Sequence, residues 1–331
     1  MFHKELFVNF ITVLVLSFAF TVIISKKVIP ILKGHKIGQE IRPEGPVEHR
    51  VKAGTPTMGG ICFIMAMLIA LAVMTVIYAL VNRQNELIPL ALTLGLALAN
   101  GLIGFVDDYC KLIKKQNEGL KARQKFILQV LVAIIYVVAL TALGYIDTSL
   151  PIPFTSSAVE LGWVYYVFAV FLIVGIANSV NLTDGIDGLA SSVTLVIMGF
   201  FAIVAFNMLN VSLALISGAL IGALIGFLIF NIHPAKVFMG DTGSLFLGGA
   251  VTGAAFLINQ PLIIVIAGVI YIIETLSVMI QVTSFKLRNK RVFKMTPIHH
   301  HFEKCGWKEG KIVAVFSAIT AIFCVIAWFA L

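Results

Sequence analysis

Val211-Ser-Leu-Ala-Leu-Ile-Ser-Gly-Ala-Leu-Ile-Gly-Ala-Leu-Ile-Gly-Phe-Leu-Ile-Phe230 is a run of twenty residues without a charge. A helix of that length is about 30 Å long, the thickness of a bilayer's hydrocarbon core. Gly218, Gly222 and Gly226 recur at every fourth position and so share one face, which reads as close packing against another helix and nothing catalytic. Working outward, nine further apolar runs of similar kind cover Leu6–Ser25, Gly59–Val81, Leu87–Val106, Phe126–Ile146, Leu161–Ala177, Leu189–Phe206, Ser244–Ile258, Pro261–Ser284 and Ile312–Leu331. The expected fold is an all-α polytopic integral membrane protein with about ten transmembrane helices. Residues 1–331 then form a single integral membrane domain, because ten spans leave little chain for a separate soluble one.

Composition agrees. The 331 residues are 60% hydrophobic and 12% charged, against about 45–50% and about 25% in soluble domains, and the mean hydropathy is +1.02. A soluble globular enzyme and a disordered chain are both excluded. Cys62, Cys110, Cys305 and Cys324 are too few and too scattered for a disulfide scaffold, and no disulfide is expected. The net charge of +8 could serve topology, an anionic lipid surface or a phosphate-bearing substrate, and the placement of the cations decides. Ten crossings put segments 26–58, 107–125, 178–188, 231–243 and 285–311 on one face. These hold 22 of the 24 lysines and arginines, leaving only Lys4 and Arg83 outside. By the positive-inside rule this face is cytoplasmic and both termini are external. The first run has its basic residues after it rather than before it, so an uncleaved span is expected instead of a signal peptide.

The acids and imidazoles gather on the same face. Asp107, Asp108, Asp184, Asp187 and Asp241 stand at helix–loop junctions there, with only Asp147 outside, and six of the seven histidines join them. Carboxylates, imidazoles and lysines at one membrane surface are expected of a metal-assisted enzyme acting on phosphates. A transporter more often sets its polar groups at the bilayer midplane. In Phe105-Val-Asp107-Asp108-Tyr109-Cys110-Lys111 the adjacent acids point about 100° apart on a helix, so one can approach a ligand while the other orients it; a solvated helix end is the plainer alternative. Asn178-Ser-Val-Asn181-Leu-Thr-Asp184-Gly185-Ile-Asp187-Gly188 has two acids and no lysine or arginine, so a cation or a set of donors should meet them, unless the segment is an ordinary capping turn. In Asn231-Ile-His233-Pro234-Ala-Lys236-Val-Phe238-Met-Gly240-Asp241-Thr242-Gly243-Ser244, Asp241 is either a helix N-cap or an oxygen ligand suited to magnesium. Phe238 is either core or a base-stacking ring. Three successive histidines, His299, His300 and His301, cannot form a helical zinc face, but they can donate to phosphate oxygens; a plain surface run is the alternative. Glu274 and Gln281 lie within the ninth apolar run; an ionisable residue there is either functional or paired with a neighbouring helix, and Glu274 is left without a role.

These motifs resemble those of the bacterial phospho-N-acetylmuramoyl-pentapeptide transferases (translocase I, the MraY family), within the polyprenyl-phosphate N-acetylhexosamine-1-phosphate transferases. The resemblance covers essentially the whole chain. It rests on Lys52-Ala-Gly-Thr55-Pro-Thr57-Met-Gly-Gly60, Asp107-Asp108-Tyr109, Asn178 through Gly188, Phe238-Met-Gly-Asp241-Thr-Gly-Ser and Pro297-Ile-His-His-His-Phe-Glu303. It implies a Mg2+-dependent enzyme of peptidoglycan biosynthesis in the bacterial plasma membrane, with its active site facing the cytoplasm. Phospho-N-acetylmuramoyl-pentapeptide would pass from UDP to undecaprenyl phosphate, giving lipid I and UMP. By the same resemblance Asp241 is the magnesium ligand, and Asp107 is the candidate base, supported by Asp108. Lys52, Asp187 and Phe238 belong to a uridine pocket. Thr57, Lys111, Lys115, Lys125, Asn178, Asn181, Asp184, Gly185, Asn231, Gln281 and His299–His301 line the remaining polar cleft. A homodimer is a family-level expectation, and no nucleic acid partner is implied. A direct attack by the lipid phosphate is preferred to an aspartyl intermediate, since a bound phosphate is already a nucleophile. The rivals are a sister enzyme moving N-acetylglucosamine-1-phosphate, set apart by the Pro297–Glu303 run, and a cation or nucleotide transporter.

Overall fold

The structure is a computed structural model that describes residues 2–34, 54–114 and 119–331. Its helices are α1 (Phe2–Gly34), α2 (Gly60–Leu80), α3 (Ile88–Lys114), α4 (Ala122–Ala142), α5 (Val164–Thr183), α6 (Leu189–Met208), α7 (Val211–Asn231), α8 (Gly240–Leu257), α9 (Ile263–Ala267), α10 (Val269–Arg288), α11 (Ile298–Lys304) and α12 (Glu309–Phe329). Between α4 and α5, β1 (Ser149–Pro151) and β2 (Ala158–Glu160) form an antiparallel hairpin with Leu150 opposite Val159. Among the described residues nine helices are long and apolar enough to cross a membrane, so the chain is a multi-pass membrane protein.

Each expected run contains a helix, with three differences. First, α1 does not stop at Ser25 but continues through Lys26, Lys27 and Pro30 to Gly34, because a helix can leave the bilayer while long basic side chains reach water. Second, the run Pro261–Ser284 is split: α9 ends at Ala267, Gly268 breaks the backbone, and α10 extends to Arg288. Third, the segment read as Ser244–Ile258 is the 18-residue α8, which is not among the nine because it has Asp241 in its first turn and carries several glycines. Lipid does not need to solvate it. Every residue from Thr242 to Phe256 is buried, and α3 and α5 are the main helices packed against them.

The glycine face of α7 receives α1. A Cβ on Gly222 would stand 2.1 Å from the Leu14 carbonyl oxygen, and those on Gly218 and Gly226 would stand 3.0 Å from the Phe10 and Phe18 carbonyls. Backbone thus meets backbone along three successive turns, where dispersion and close fit replace the hydrophobic drive that lipid removes. Gly222→Ala is expected to destabilise the protein by about 1–3 kcal/mol through overpacking, despite the helix propensity that alanine gains. Gly175→Ala, on α5 with nothing within 4 Å of its added Cβ, is the control. Melting temperatures in detergent check this, and equal melting of the two variants would sink it.

One end of the bundle is marked by Arg83, which pairs with Glu86 at 2.6 Å and also with Glu5, joining the start of α1 to the turn between α2 and α3. At the opposite end, where α2 begins, Gly59 N donates to Phe238 O at 2.8 Å and Gly60 N to Met239 O at 3.0 Å. The aspartate-rich junctions meet there.

Candidate active site

Asp107 and Asp108 close the spanning part of α3, and their neighbouring positions separate their tasks. Asp108 is buried and turned onto the first turn of α8. It accepts from Asp241 N at 3.2 Å, Thr242 N at 3.0 Å and Thr242 Oγ1 at 2.7 Å. Free amides at a helix start need such an acceptor, so α8 is capped from α3. Asp241 therefore does not cap its own helix. Gly240 makes the approach possible: it has φ +71°, and a Cβ there would lie 2.7 Å from Asp108 Oδ2 and 2.8 Å from Thr57 Oγ1. Asp107, also buried, accepts from Leu120 N at 2.8 Å and pairs with Lys111 Nζ at 2.6 Å.

Freed from capping, the Asp241 carboxylate is the centre of the cluster. Lys125 Nζ reaches its Oδ2 at 2.8 Å and Lys111 Nζ at 3.0 Å, while Asn181 Nδ2 donates to Oδ1 at 2.9 Å and to Ser244 Oγ at 2.8 Å. Its side chain is 20% exposed, against 5% and 4% for Asp107 and Asp108, so Asp241 is the acid of the three that a ligand can reach. One oxygen from each of the three lies within 4.8 Å of the others. Three carboxylates against two ammonium groups leave a net negative charge, with hard oxygen donors converging. That donor set suits magnesium shared with a phosphate.

Asp184 follows α5 and sits beside this cluster. Burial first, then the charges of Asp241, Asp108 and Asp187, push its carboxyl well above the usual carboxylate range. Asp187, His233 and Glu309 form a second group of ligand-capable side chains. Asp187 Oδ2 accepts from Ala235 N at 3.0 Å and lies 3.1 Å from His233 Nδ1, while its own N–H donates to Glu309 Oε2 at 3.0 Å. It stitches the 184–188 turn to the loop before α8 and to the start of α12. The half-buried Phe238 lies on that loop, and its N–H donates to Pro56 O at 2.8 Å.

Other residues named from the sequence have partners of their own. Asn178 Nδ2 donates to Gln129 Oε1 and Val174 O. Asn231 is buried, accepting from Ser191 Oγ and donating to Val237 O. Gln281 clamps the basic loop after α10: its Oε1 accepts from Val292 N and Phe293 N, both at 3.0 Å. The three histidines diverge as successive helical positions must. His299 faces Glu274, His300 Nδ1 lies 2.5 Å from Glu303 Oε2, and His301 Nδ1 accepts from Lys294 N at 3.1 Å. Lys52 and Lys115 lie outside the described residues. Ser244, Gln129 and Glu309 were not singled out from the sequence. Ser244 could have been found from its position one turn along from Gly240, whereas the other two carry no sequence signal of their own.

The geometry can be set beside known proteins. Residues 89–259 match the model of glycosyl transferase family 4, and residues 52–64 match phospho-N-acetylmuramoyl-pentapeptide-transferase signature 1. A phospho-N-acetylmuramoyl-pentapeptide-transferase of Clostridium perfringens is 49% identical over 315 residues, covering 95% of this chain and 96% of its own. One of Clostridium beijerinckii is 50% identical over 322 residues, covering 96% and 95%. The chain belongs to the phospho-N-acetylmuramoyl-pentapeptide-transferase family. A third member, from Halalkalibacterium halodurans, is 44% identical over 314 residues, covering 95% of each chain. Both matches to family patterns fall on the site: the transferase signature runs into α2, whose first amides bond residues 238 and 239, and the longer match spans α3 through α8. The chain is thus a membrane transferase whose family-defining segments enclose the Asp107–Asp108–Asp241 cluster.

Proposed function

We propose that the chain transfers phospho-N-acetylmuramoyl-pentapeptide from its UDP carrier to undecaprenyl phosphate, giving lipid I and UMP, with Mg2+ as cofactor. The protein is read as ten spans in a bacterial plasma membrane, α8 being the tenth, with both termini external and the site on the cytoplasmic face. What carries this is the Asp241 carboxylate, partly open at the aspartate-rich end of the bundle and held between Lys111 and Lys125, in a chain of this transferase family.

The physical demands fit that place. One substrate is a charged cytosolic nucleotide and the other a lipid whose phosphate lies at the interface, so both can meet only where loops border the bilayer. Asp241 would hold magnesium, with one oxygen of Asp107 and one of Asp108 in reach. When bound, the ion offsets the charge of the diphosphate and of the departing UMP. Lys111 and Lys125 lower the repulsion between two anionic reactants. An oxygen of the lipid phosphate attacks the phosphorus that bears the sugar, and the bond from that phosphorus to the bridging oxygen breaks, releasing UMP. Asp107 takes the proton of the lipid phosphate, and Lys111 steadies the carboxylate. Asn181 and Ser244 fix the rotamer of Asp241, and Asp108 fixes the helix that carries it.

Purified protein in detergent, given undecaprenyl phosphate and magnesium, is expected to release UMP with UDP-N-acetylmuramoyl-pentapeptide and not with UDP-N-acetylglucosamine, and to stop when EDTA is added. Turnover of the second nucleotide alone would move the chain to the sister reaction. Folded protein that turns over neither would overturn the assignment.

A further inference from the structure

Glu274 of α10 and His299 of α11 are both without solvent exposure. His299 Nδ1 lies 3.0 Å from Glu274 Oε1 but off the line of a hydrogen bond. Among the described residues, neither carboxylate oxygen and neither ring nitrogen has a hydrogen-bond partner. A carboxylate buried alone is strongly disfavoured, and the imidazole is the polar group beside it, so the two stand as a pair that a small rotation of the ring completes. The other edge of the ring meets the turn after α5. A Cβ on Gly185 would lie 2.2 Å from His299 Nε2 and 2.6 Å from Cε1. The imidazole is therefore wedged between α10 and the backbone that connects Asp184 to Asp187. The residue after Glu274 fixes the relation of the two helices, because Thr275 Oγ1 donates to Ser179 Oγ at 2.7 Å, about one turn before Asp184.

We propose that Glu274 is a positioning residue: it holds the His299 ring against Gly185 and, through that ring, sets where the Asp184–Asp187 turn stands for the nucleotide substrate. This rests on the transfer reaction proposed above. Glu274 itself touches no reactant, and its carboxylate acts on the turn through one imidazole. Three consequences follow for purified full-length variants. Glu274→Ala raises KM for UDP-N-acetylmuramoyl-pentapeptide about tenfold, the scale of leaving one buried polar group without its neighbour. KM for undecaprenyl phosphate stays within about twofold, since the lesion is confined to one turn. Glu274→Gln returns the nucleotide KM to within about threefold of wild type, because the amide oxygen can stand beside Nδ1 as the carboxylate does.

Gly185→Ala supplies a second, independent variant. Its Cβ displaces the ring, so it raises the same KM, and adding Glu274→Ala to it brings no further loss. A general structural lesion would shift both KM values or multiply with Gly185→Ala, and either result overturns the proposal. So does an unchanged nucleotide KM in folded Glu274→Ala or Gly185→Ala. Wild-type protein that releases no UMP overturns the reaction itself, whereas active wild type with unaltered variants overturns the positioning role alone.

Discussion

Asp241→Ala is expected to lower turnover by about a hundredfold to a thousandfold, the scale seen when a preorganised polar group is removed from a reacting site. The same protein should fold normally. The side chain that caps α8 is Asp108, with its three bonds to Asp241 N, Thr242 N and Thr242 Oγ1, and the Asp241 backbone amide survives the substitution. Lys111 keeps its partner Asp107 at 2.6 Å, while Lys125 loses the Asp241 oxygen at 2.8 Å and can turn toward water. Asp241→Asn separates charge from shape: an amide oxygen still meets Asn181, but the attraction for both ammonium groups and for a divalent cation is gone. UMP release should fall nearly as far as in the alanine variant. A readout apart from turnover is the rise in melting temperature with magnesium, which follows from binding to the native state and should vanish in both variants. Normal magnesium-dependent turnover in Asp241→Ala would remove this residue from the site.

The sequence made the helices and the common face of the acids legible because both follow from burial in lipid. A run such as Val211–Phe230 has no soluble alternative, and the acids that the sequence places at helix–loop junctions do meet at one end of the bundle. It was less informative where a helix end is set by its neighbours. Lys26 and Lys27 mark the edge of the apolar run, yet nothing ends the helix until Gly34. Gly268 resembles the packing glycines of α7 in composition, and only the surrounding structure makes it a break. In the site, the clustered residues could be named but their division of labour could not. Asp108 rather than Asp241 caps α8, because a helix start takes whichever acceptor stands over it, and that one comes from more than a hundred residues away. Gln281 and Asn231 are polar residues beside a polar cleft by sequence, and both are engaged in holding loops. Glu274 had no partner within reach along the chain, and its partner is on another helix.

The α3–α8 contact gives the other large effect. A Cβ on Gly104 would lie 2.1 Å from the Asp241 carbonyl oxygen, 2.4 Å from its carbonyl carbon and 2.7 Å from Thr242 N. All three are backbone atoms of a buried helix, so no side chain can swing aside, and α3 and α8 must separate by about 1 Å to restore ordinary contact. Gly104 is four residues before Asp108, on the same face of α3. The separation therefore opens at the place where Asp108 bonds the start of α8, and it draws Asp241 away from Lys111. Gly104→Ala should destabilise the protein by about 1–3 kcal/mol, as overpacked cores do. It should also cut turnover by about a hundredfold, the usual result of misplacing reacting groups by 1 Å. Gly95→Ala on the same helix meets nothing within 4 Å, so it should match or exceed wild type in stability and keep full turnover. Magnesium should still raise the melting temperature of Gly104→Ala, though less than in wild type, because the carboxylates remain but no longer converge. If Gly104→Ala and Gly95→Ala show the same melting temperature and the same rate of UMP release, the close approach of these two helices does not set the geometry of the aspartate cluster.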